Sequence, residues 1–380
     1  MPIVTDIADL ENLHRRRVPR MFFDYVAAGS WAESTLAANR AAFHKLQFNQ
    51  RVAIDLSQRS IRTQMLGTEY SMPVALAPIG LTGMQHADGE ICAARAAEKF
   101  GVPFCLSTMS ICSIEDVAAA TAAPFWFQLY VMKDRGFVRD LIDRAKAARC
   151  SALVLTLDLQ ILGQRHKDVK NGLSTPPKPT LRNLLNIATK PLWAWQMLRT
   201  QRRGFGNIAG HVKGVEDISS LAAWTNSQFD PALSWDDVAW IKEQWAGPLV
   251  LKGILDPRDA TQAVQQGADA IIVSNHGGRQ LDGAPATLDV LPAIADAVAG
   301  QVELWIDGGI RSGQDVLKAL ALGANSTLIG RSYVHGLGAL GQAGVEKALA
   351  IIANELDLSM AFCGVTHIED VSEQVLWRAP

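Results

Sequence analysis

The sequence is short of cysteine, of net charge and of long apolar runs, and each shortage excludes a class of protein. Its five cysteines are an odd number without CxxC or CxxH spacing, so we expect neither a disulfide framework nor a zinc or other metal site, and we expect a reducing compartment. The formal net charge is −2 and no long basic run occurs, so nucleic acid is not an expected partner.

Signals for export and for membrane crossing are also missing. The N-terminal stretch "MPIVTDIADLENLHRRRVP" has no apolar segment ahead of a cleavage site, so we expect no signal peptide. The longest charge-free run near that end, residues 71–87, is too broken by proline and glycine to span a bilayer. What the chain does have is 48% hydrophobic residues over 380 positions, enough for two domains or for one large barrel.

Eight short apolar runs recur along the chain, and most are followed by a stretch of helical spacing. Near-continuous apolar strands that alternate with helices are typical of a parallel sheet covered on both faces. No GxGxxG follows the first run, which argues against a Rossmann domain. We therefore predict an α/β fold, a (β/α)8 TIM barrel. The predicted strands are residues 73–78, 103–107, 125–130, 152–158, 248–253, 270–275, 303–309 and 326–331.

The spacing of these runs divides a single predicted domain, 1–380, into parts. Residues 1–70 are expected to form an N-terminal helical region, and 71–158 with 248–335 the barrel. Residues 159–247 form a long insertion after the fourth strand, and residues 336–380 are expected to form C-terminal helices.

Polar side chains end almost every predicted strand, and barrel enzymes carry their active sites at those ends. The sixth strand stops in "SNHGGRQ", which by itself is also compatible with an ordinary turn. Because the other strands end in the same way, we predict a ligand site at this face. The strand-end residues are Ser107, Gln128, Tyr130, Thr156, Asp158, Lys252, Ser274, Asn275, His276, Asp307, Gly330 and Arg331.

These residue types indicate a chemistry. The turns "DGGIRSG" and "IGRS" offer free amides, together with Arg311 and Arg331, to a phosphate. The alternative is that their glycines only allow the backbone to turn. A buried Lys252 requires an anion such as a reduced flavin, unless it is a surface lysine that extends to solvent. His276 beside Asp158 is suited to general-base catalysis, and Arg279 to a substrate carboxylate.

Taken together, "SNHGGRQLD", "LKGI", "FQLY", "IDGGIRSG", "IGR" and "FFDYVAAGS" resemble the FMN-dependent L-2-hydroxy-acid dehydrogenases and oxidases over nearly the whole chain. Within the family the resemblance is nearest to its bacterial respiratory, L-lactate-oxidising members. By resemblance, His276 is the base, Asp158 its partner and Tyr130 the phenol at the substrate oxygen. The substrate pocket is implied to hold Tyr25, Arg165, Arg279, Tyr130, Met109 and Leu162. The implied FMN contacts are Ala77, Pro78, Ile79, Gly80, Ser107, Gln128, Thr156, Lys252, Ser274, Asp307, Gly308, Gly309, Arg311, Gly330 and Arg331.

The resemblance implies oxidation of an L-2-hydroxy acid, L-lactate to pyruvate, with electrons passed to the respiratory quinone pool. The alternatives are a soluble oxidase that uses oxygen and a dehydrogenase for mandelate or glycolate. A non-redox FMN barrel and a catalytically silent flavoprotein are further alternatives, and the complete His276 and Arg279 pair argues against both. Met109 stands where glycolate-oxidising members carry tryptophan, and Gly80 where the oxidases more often carry alanine.

The insertion contains a segment, residues 180–207, in which Trp193, Trp195 and several leucines stand beside arginines. One interpretation is a lid packed on the barrel mouth. The other is an interfacial segment that rests on anionic lipid. The resemblance favours the second, which implies a peripheral protein on the cytoplasmic side of the cell inner membrane, with a quinone as electron acceptor. It also implies a homotetramer.

Overall fold

The computed structural model describes residues 3–173, 180–211 and 227–377, and these contain the predicted eight-stranded barrel. The second to the eighth barrel strands pair in parallel in chain order, the eighth pairs in parallel with the first, and a bridge between Leu76 and Phe104 links the first to the second. The (β/α)8 prediction is therefore confirmed. The barrel strands are β3 (Val74–Leu76), β4 (Cys105–Ser107), β5 (Trp126–Tyr130), β6 (Ala152–Thr156), β7 (Leu249–Ile254), β8 (Ala270–Val273), β9 (Glu303–Ile306) and β10 (Ser326–Ile329).

Helices surround this barrel, and several begin where a polar side chain caps the first turn. Ser113, Asp134, Asp256 and Ser312 each accept a hydrogen bond from a backbone N–H of the helix that follows. The helices are α1 (Ile7–Arg17), α2 (Arg20–Ala27), α3 (Ser34–Lys45), α4 (Gly89–Phe100), α5 (Ile114–Ala120), α6 (Arg135–Ala147), α7 (His166–Lys170), α8 (Leu181–Ala188), α9 (Pro191–Arg199), α10 (Trp235–Trp245), α11 (Pro257–Gln265), α12 (Thr287–Val298), α13 (Gly313–Ala321), α14 (Arg331–Leu340) and α15 (Gln342–Phe362).

The barrel interior is a packed core and not a channel. Trp126 and Trp305 stack inside it with ring centroids 4.9 Å apart and planes 10° from parallel. Both are almost completely buried. Met65, in the hairpin of β1 (Thr63–Met65) and β2 (Thr68–Tyr70), is buried in the same cluster. The hairpin thus contributes to the barrel core from outside the eight strands.

Two predicted regions differ in detail from the structure. Of the region 1–70, only the part up to Lys45 is helical, and the hairpin lies in the remainder. Strands of three residues are too short to show the alternation that predicts a strand. The insertion 159–247 contains α7 to α10, while its residues 174–179 and 212–226 lie outside the described residues.

Candidate active site

A cavity of about 690 Å³ opens at the carboxyl ends of the barrel strands. Its walls come from the loops after the strands, from α2 and from the insertion. Predicted site residues that line it are Tyr25, Ala77, Pro78, Ile79, Gly80, Met109, Tyr130, Thr156, Leu162, Arg165, Lys252, His276, Arg279, Asp307, Gly308, Gly309, Arg311, Gly330 and Arg331. Four predicted site residues do not line the cavity themselves. Asp158 bonds to His276 and Ser274 to Lys252, both of which line it, while Ser107 bonds to Gln128.

The loop "SNHGGR" turns back sharply because three consecutive residues adopt positive φ. His276 has φ +57°, and Gly277 and Gly278 have φ +63° and +72°. A Cβ on Gly278 would lie 2.6 Å from the Leu36 nitrogen, so only glycine fits there. The Ser274 hydroxyl accepts a hydrogen bond from the His276 amide at 3.1 Å. The apolar strand therefore ends in this motif because the turn presents the imidazole to the cavity.

The His276 imidazole is paired with a carboxylate. Its Nδ1 lies 2.9 Å from Asp158 Oδ1, and both side chains are largely buried. With Nδ1–H donating to Asp158, the Nε2 lone pair remains to accept a proton. Burial lowers the pKa of His276, and the Asp158 charge opposes that shift. The Asp158 side chain packs directly against Gly253, and only glycine leaves room for it, since a Cβ at position 253 would lie 2.8 Å from that side chain.

Two guanidinium groups and two phenols surround the same part of the cavity. Arg279 donates to the backbone oxygens of Tyr25 and Ala28, and its guanidinium lies 4.7 Å from the centre of the Tyr25 ring. Arg165 donates weakly to the Arg279 carbonyl at 3.4 Å. Burial, and then the charge of Arg165, lower the pKa of Arg279 to about 10. Burial also raises the pKa of Tyr130, so this phenol is a neutral donor at physiological pH.

Lys252 has an anionic partner within the protein. Its Nζ lies 2.8 Å from Asp307 Oδ2 and donates to Ser274 Oγ at 2.7 Å. Ser274 in turn donates to Asp307 Oδ1 at 2.6 Å. Burial alone would lower the pKa of Lys252, but Asp307 and Asp158 raise it above its ordinary value. The prediction that a buried Lys252 requires an anion is correct, but Asp307 meets that requirement and a flavin is not needed for it.

Other buried polar groups at the strand ends lack partners. Among the described residues, Gln128 Nε2 and Thr156 Oγ1 are buried without a hydrogen-bond partner. Ser107 donates to Gln128 Oε1 at 3.1 Å, which directs the amide of Gln128. Buried polar atoms are rarely left unpaired, so these groups indicate a ligand with a polar edge. The pyrimidine edge of an isoalloxazine ring has that character.

The loops after β9 and β10 provide the phosphate end. Gly308 and Gly309 adopt φ +98° and +90°, and a Cβ on Gly309 would lie 2.3 Å from the Asn39 oxygen. Gly330 and Arg331 begin α14, whose amides and dipole favour an anion. Burial lowers the pKa of Arg311 to about 10, so an anion beside it would be stabilised. The residues present therefore fit FMN.

Not every polar strand end serves the cavity. Asn275 exchanges amide hydrogen bonds with Asn39 of α3 at 2.8 and 2.9 Å, so it ties the loop to the N-terminal extension. Arg331 donates to the carbonyls of Val26, Gly277 and Ala28, so its guanidinium also holds α2 against the β8 loop. The sequence gives both residues a polar strand-end signature and cannot separate these roles.

Sequence reasoning missed an apolar part of the cavity. Phe22 and Met84 line it, as do Phe205 and Phe229 of the insertion. Phe229 packs edge-on against the Tyr130 ring with centroids 6.0 Å apart. Phe22 lies three residues before Tyr25, so helical spacing could have suggested it. No pattern in the insertion indicates Phe205 or Phe229.

The barrel and its strand-end cavity fit a phosphorylated aromatic cofactor, and two guanidinium groups lie at the same cavity. A family model described as FMN-dependent dehydrogenase matches residues 14–378. The chain belongs to this FMN-dependent dehydrogenase family, which confirms the predicted family and cofactor.

Relatives and solved structures agree with this membership. The chain is 46% identical over 375 residues, 98% of each chain, to an L-lactate dehydrogenase of Caulobacter vibrioides. It is 46% identical over 382 residues to one of Stenotrophomonas maltophilia, covering 100% of each. A monotopic membrane (S)-mandelate dehydrogenase superposes with TM-score 0.95 at 33% identity over 100% of both chains. A mandelate oxidase superposes with TM-score 0.84 at 36% identity, over 99% of this chain and 98% of that one.

Proposed function

We propose that this protein oxidises L-lactate to pyruvate, with FMN as the bound electron acceptor. The observation that carries the proposal is the His276–Asp158 pair, in which His276 lines the same cavity as Arg165, Arg279 and Tyr130. Oxidation of a 2-hydroxy acid requires a base near the hydroxyl group and a cationic corner that binds the carboxylate, and this cavity has both. The relatives named L-lactate dehydrogenase support lactate as the substrate.

In this proposal each side chain has one task. Arg279, Arg165 and Tyr25 bind the substrate carboxylate, and Tyr130 donates to the oxygen on C2. His276 Nε2 accepts the proton released as the alcohol becomes a carbonyl, and Asp158 stabilises the imidazolium that forms.

The cofactor would be held by three sets of groups. Gln128, Thr156 and Lys252 would hold its ring, the wall from Ala77 to Gly80 would pack on it, and the amides after β9 and β10 with Arg311 would hold its phosphate. FMN, when bound, supplies a two-electron acceptor.

A larger substrate is the second candidate. Met109 and Leu162 are an adaptable apolar wall, and Phe205 and Phe229 line the same cavity. Both solved structures compared above with this chain are mandelate enzymes. (S)-mandelate is therefore the competitor against which lactate is tested.

Anaerobic titration of the yellow protein tests the function. We expect L-lactate to bleach the flavin absorbance faster than (S)-mandelate or glycolate at equal concentration. His276→Asn should retain the flavin and lose about 10²- to 10⁴-fold in bleaching rate, since asparagine tolerates positive φ but cannot act as a base. Bleaching of this variant at the wild-type rate would disprove the role of His276.

We further propose that the insertion docks the enzyme on a membrane. In α8, Leu181, Leu184 and Leu185 lie on one helix face and are 73%, 56% and 62% exposed. The opposite face faces the protein, because Asn186 accepts from the Arg20 amide at 2.7 Å and Asn183 donates to Asn171 at 2.7 Å. A helix that turns its asparagines inward and its leucines outward is suited to lipid.

The second helix of the segment continues this surface. Leu192, Trp195 and Leu198 of α9 are exposed, and Arg199 lies 4.5 Å from the Trp195 ring. No helix in the described part of the chain is long and apolar enough to cross a bilayer. The (S)-mandelate dehydrogenase that superposes on this chain is a monotopic membrane protein, and this likeness supports peripheral attachment. In the same proposal the protein lies on the cytoplasmic side of the cell inner membrane and forms a homotetramer. A quinone accepts its electrons.

The rest of the segment is anchored to the barrel, as a lid would be. Trp193 donates to the Met84 oxygen at 2.9 Å, and Arg202 pairs with Asp88 and Asp116 at 3.1 and 2.8 Å. Deleting residues 180–207 would therefore remove structural contacts along with the lipid-facing ones. Substitution of the exposed leucines alone is the cleaner test.

We expect the unsubstituted protein to sediment with anionic vesicles at low salt, and Leu184→Asn/Leu185→Asn to remain largely in the supernatant. Flavin bleaching by L-lactate should be unchanged in that variant, since neither leucine lines the cavity. Leu358→Asn/Phe362→Asn removes two exposed apolar side chains of α15 and is the control. Equal sedimentation of all three proteins would contradict docking through α8.

A further inference from the structure

The cavity contains a buried carboxylate that the proposed reaction does not use. Asp168, the third residue of α7, is 8% exposed and lines the cavity next to Arg165. Among the described residues its Oδ1 is fully buried and has no hydrogen-bond partner. Burying a carboxylate oxygen without a hydrogen-bond partner costs folding free energy, so its presence at the cavity calls for a functional explanation.

The charges around Asp168 come from three elements. Arg165 precedes α7, Arg279 reaches in from the loop after β8, and Asp24 belongs to α2. Asp24 is already engaged, because it accepts from Asn171 at 2.8 Å and from Arg20 at 3.1 Å. Among the described residues, neither guanidinium lies within 4.0 Å of the Asp168 carboxylate as a salt bridge, and each acts on it by charge alone. Asp168 therefore acts on the two arginines through the field in the cavity.

Asp168 lowers the net charge of the corner that Arg165 and Arg279 form. Arg165 and Arg279 bring two positive charges to the corner that binds a carboxylate, and each disfavours the charge of the other. The Asp168 charge opposes the burial that lowers the pKa of Arg279. With Asp168 ionised, the corner carries one net positive charge, and a monocarboxylate neutralises it. Without Asp168 the corner would carry two, and a carboxylate would be held more tightly.

We propose that Asp168 is the counter-charge of the carboxylate corner, which weakens carboxylate binding so that the 2-oxo acid product can leave. This inference rests on the proposed function, since it takes Arg165 and Arg279 to bind the carboxylate. Asp168 touches no reacting atom in this scheme. Its charge affects carboxylate binding only by offsetting the charges of the two arginines.

The affinity for a carboxylate should depend on pH through the titration of Asp168. Burial raises the pKa of Asp168, while Arg279 and Arg165 oppose that shift. As the pH falls through this pKa, Asp168 becomes neutral and carboxylate binding tightens. As the pH rises, binding weakens. His276, Tyr25 and Tyr130 also face the corner, but they are common to the wild type and to an Asp168 variant.

Oxalate binding to the FMN-loaded protein, measured by calorimetry between about pH 5 and pH 9, tests the proposal. We expect Asp168→Asn to bind oxalate about three- to tenfold more tightly than wild type at pH 8, the size expected of one partly screened charge. Its affinity should also vary less with pH. Asp168→Glu keeps the charge and should keep the wild-type pH dependence. Asp143→Asn removes a charge from the exposed face of α6 and should change nothing.

Three outcomes would overturn the inference. Weaker oxalate binding by Asp168→Asn, with normal flavin content, would mean that Asp168 holds the arginines in place. If Asp168→Glu behaves like Asp168→Asn, the shape of the side chain matters and its charge does not. A wild-type protein that binds no oxalate would disprove the carboxylate corner itself, and with it the role of Asp168. This last result separates failure of the proposed function from failure of the inference.

Discussion

At the scale of single residues, the active site depends on how burial and neighbouring charges set protonation. His276 is buried, which lowers its pKa and keeps the imidazole neutral and able to accept a proton. Asp158 is buried as well, which would raise its pKa, but His276 and Lys252 hold that pKa below its ordinary value. The pair is therefore a neutral base beside a permanent anion, the state that proton acceptance from an alcohol requires.

This assignment predicts the pH profile of the reaction. The base must be neutral, so kcat/KM for L-lactate should fall as the pH drops through the pKa of His276. Asp158→Asn removes the charge that raises this pKa, so the acid limb should move to lower pH and the plateau should fall by about 10²-fold. Steady-state rates between about pH 4.5 and pH 8 measure both effects. Asp296→Asn, an exposed change in α12, is the control, and an acid limb that stays in place would contradict the pairing.

At the scale of elements, one buried amide ties the insertion to the barrel. Asn207 is fully buried and accepts from the Ile114 amide at 2.9 Å. It donates to Ser107, Thr108 and Ser110 at 3.2, 3.3 and 2.9 Å. The loop after β4 carries Met109, which lines the cavity, so this amide links the insertion to the cavity wall.

Asn207→Ala should therefore lower the free energy of unfolding by about 2–4 kcal/mol, because several buried groups lose their partner. Urea unfolding of the FMN-loaded protein measures this loss. Asn186→Ala, in the same insertion, removes the acceptor of a single exposed hydrogen bond and should cost about 1 kcal/mol or less. Equal stability of the two variants would show that Asn207 does not anchor the insertion.

At the scale of the whole molecule, stability depends on the filled barrel and chemistry depends on its rim. The stacked pair of Trp126 and Trp305 lies inside the sheet, and neither side chain lines the cavity. Barrels of this class separate a packed interior from a variable active face.

Trp305→Ala should lower the free energy of unfolding by about 3–5 kcal/mol, since it opens a cavity in the barrel core and removes a stacked partner. Thermal and urea unfolding followed by circular dichroism measure this change. Trp377→Ala, at a side chain that is 52% exposed, is the matched control and should cost much less. Equal losses in the two variants would contradict the barrel core described above.

The sequence alone determined the barrel and most of the strand-end chemistry. Alternation of apolar runs and helices is local information, and a parallel barrel gathers all strand ends at one face. His276, Lys252 and Asp158 were therefore predictable as neighbours before any distance was known. Tyr25 was not, because a tyrosine in an N-terminal helix has the pattern of a core residue, and only the family resemblance indicated it.

Tertiary structure alone decided what each polar group contacts. Lys252 pairs with Asp307, Asn275 is engaged by Asn39, and Asp168 faces the cavity without a partner for its Oδ1 among the described residues. The spacing of the leucines in α8 shows that they share a face, but only the asparagine contacts show that this face points outward. Local spacing fixes which side chains share a face or a strand end. Partners from distant parts of the chain decide whether a group is paired, buried or left for a ligand, and such partners leave no local pattern.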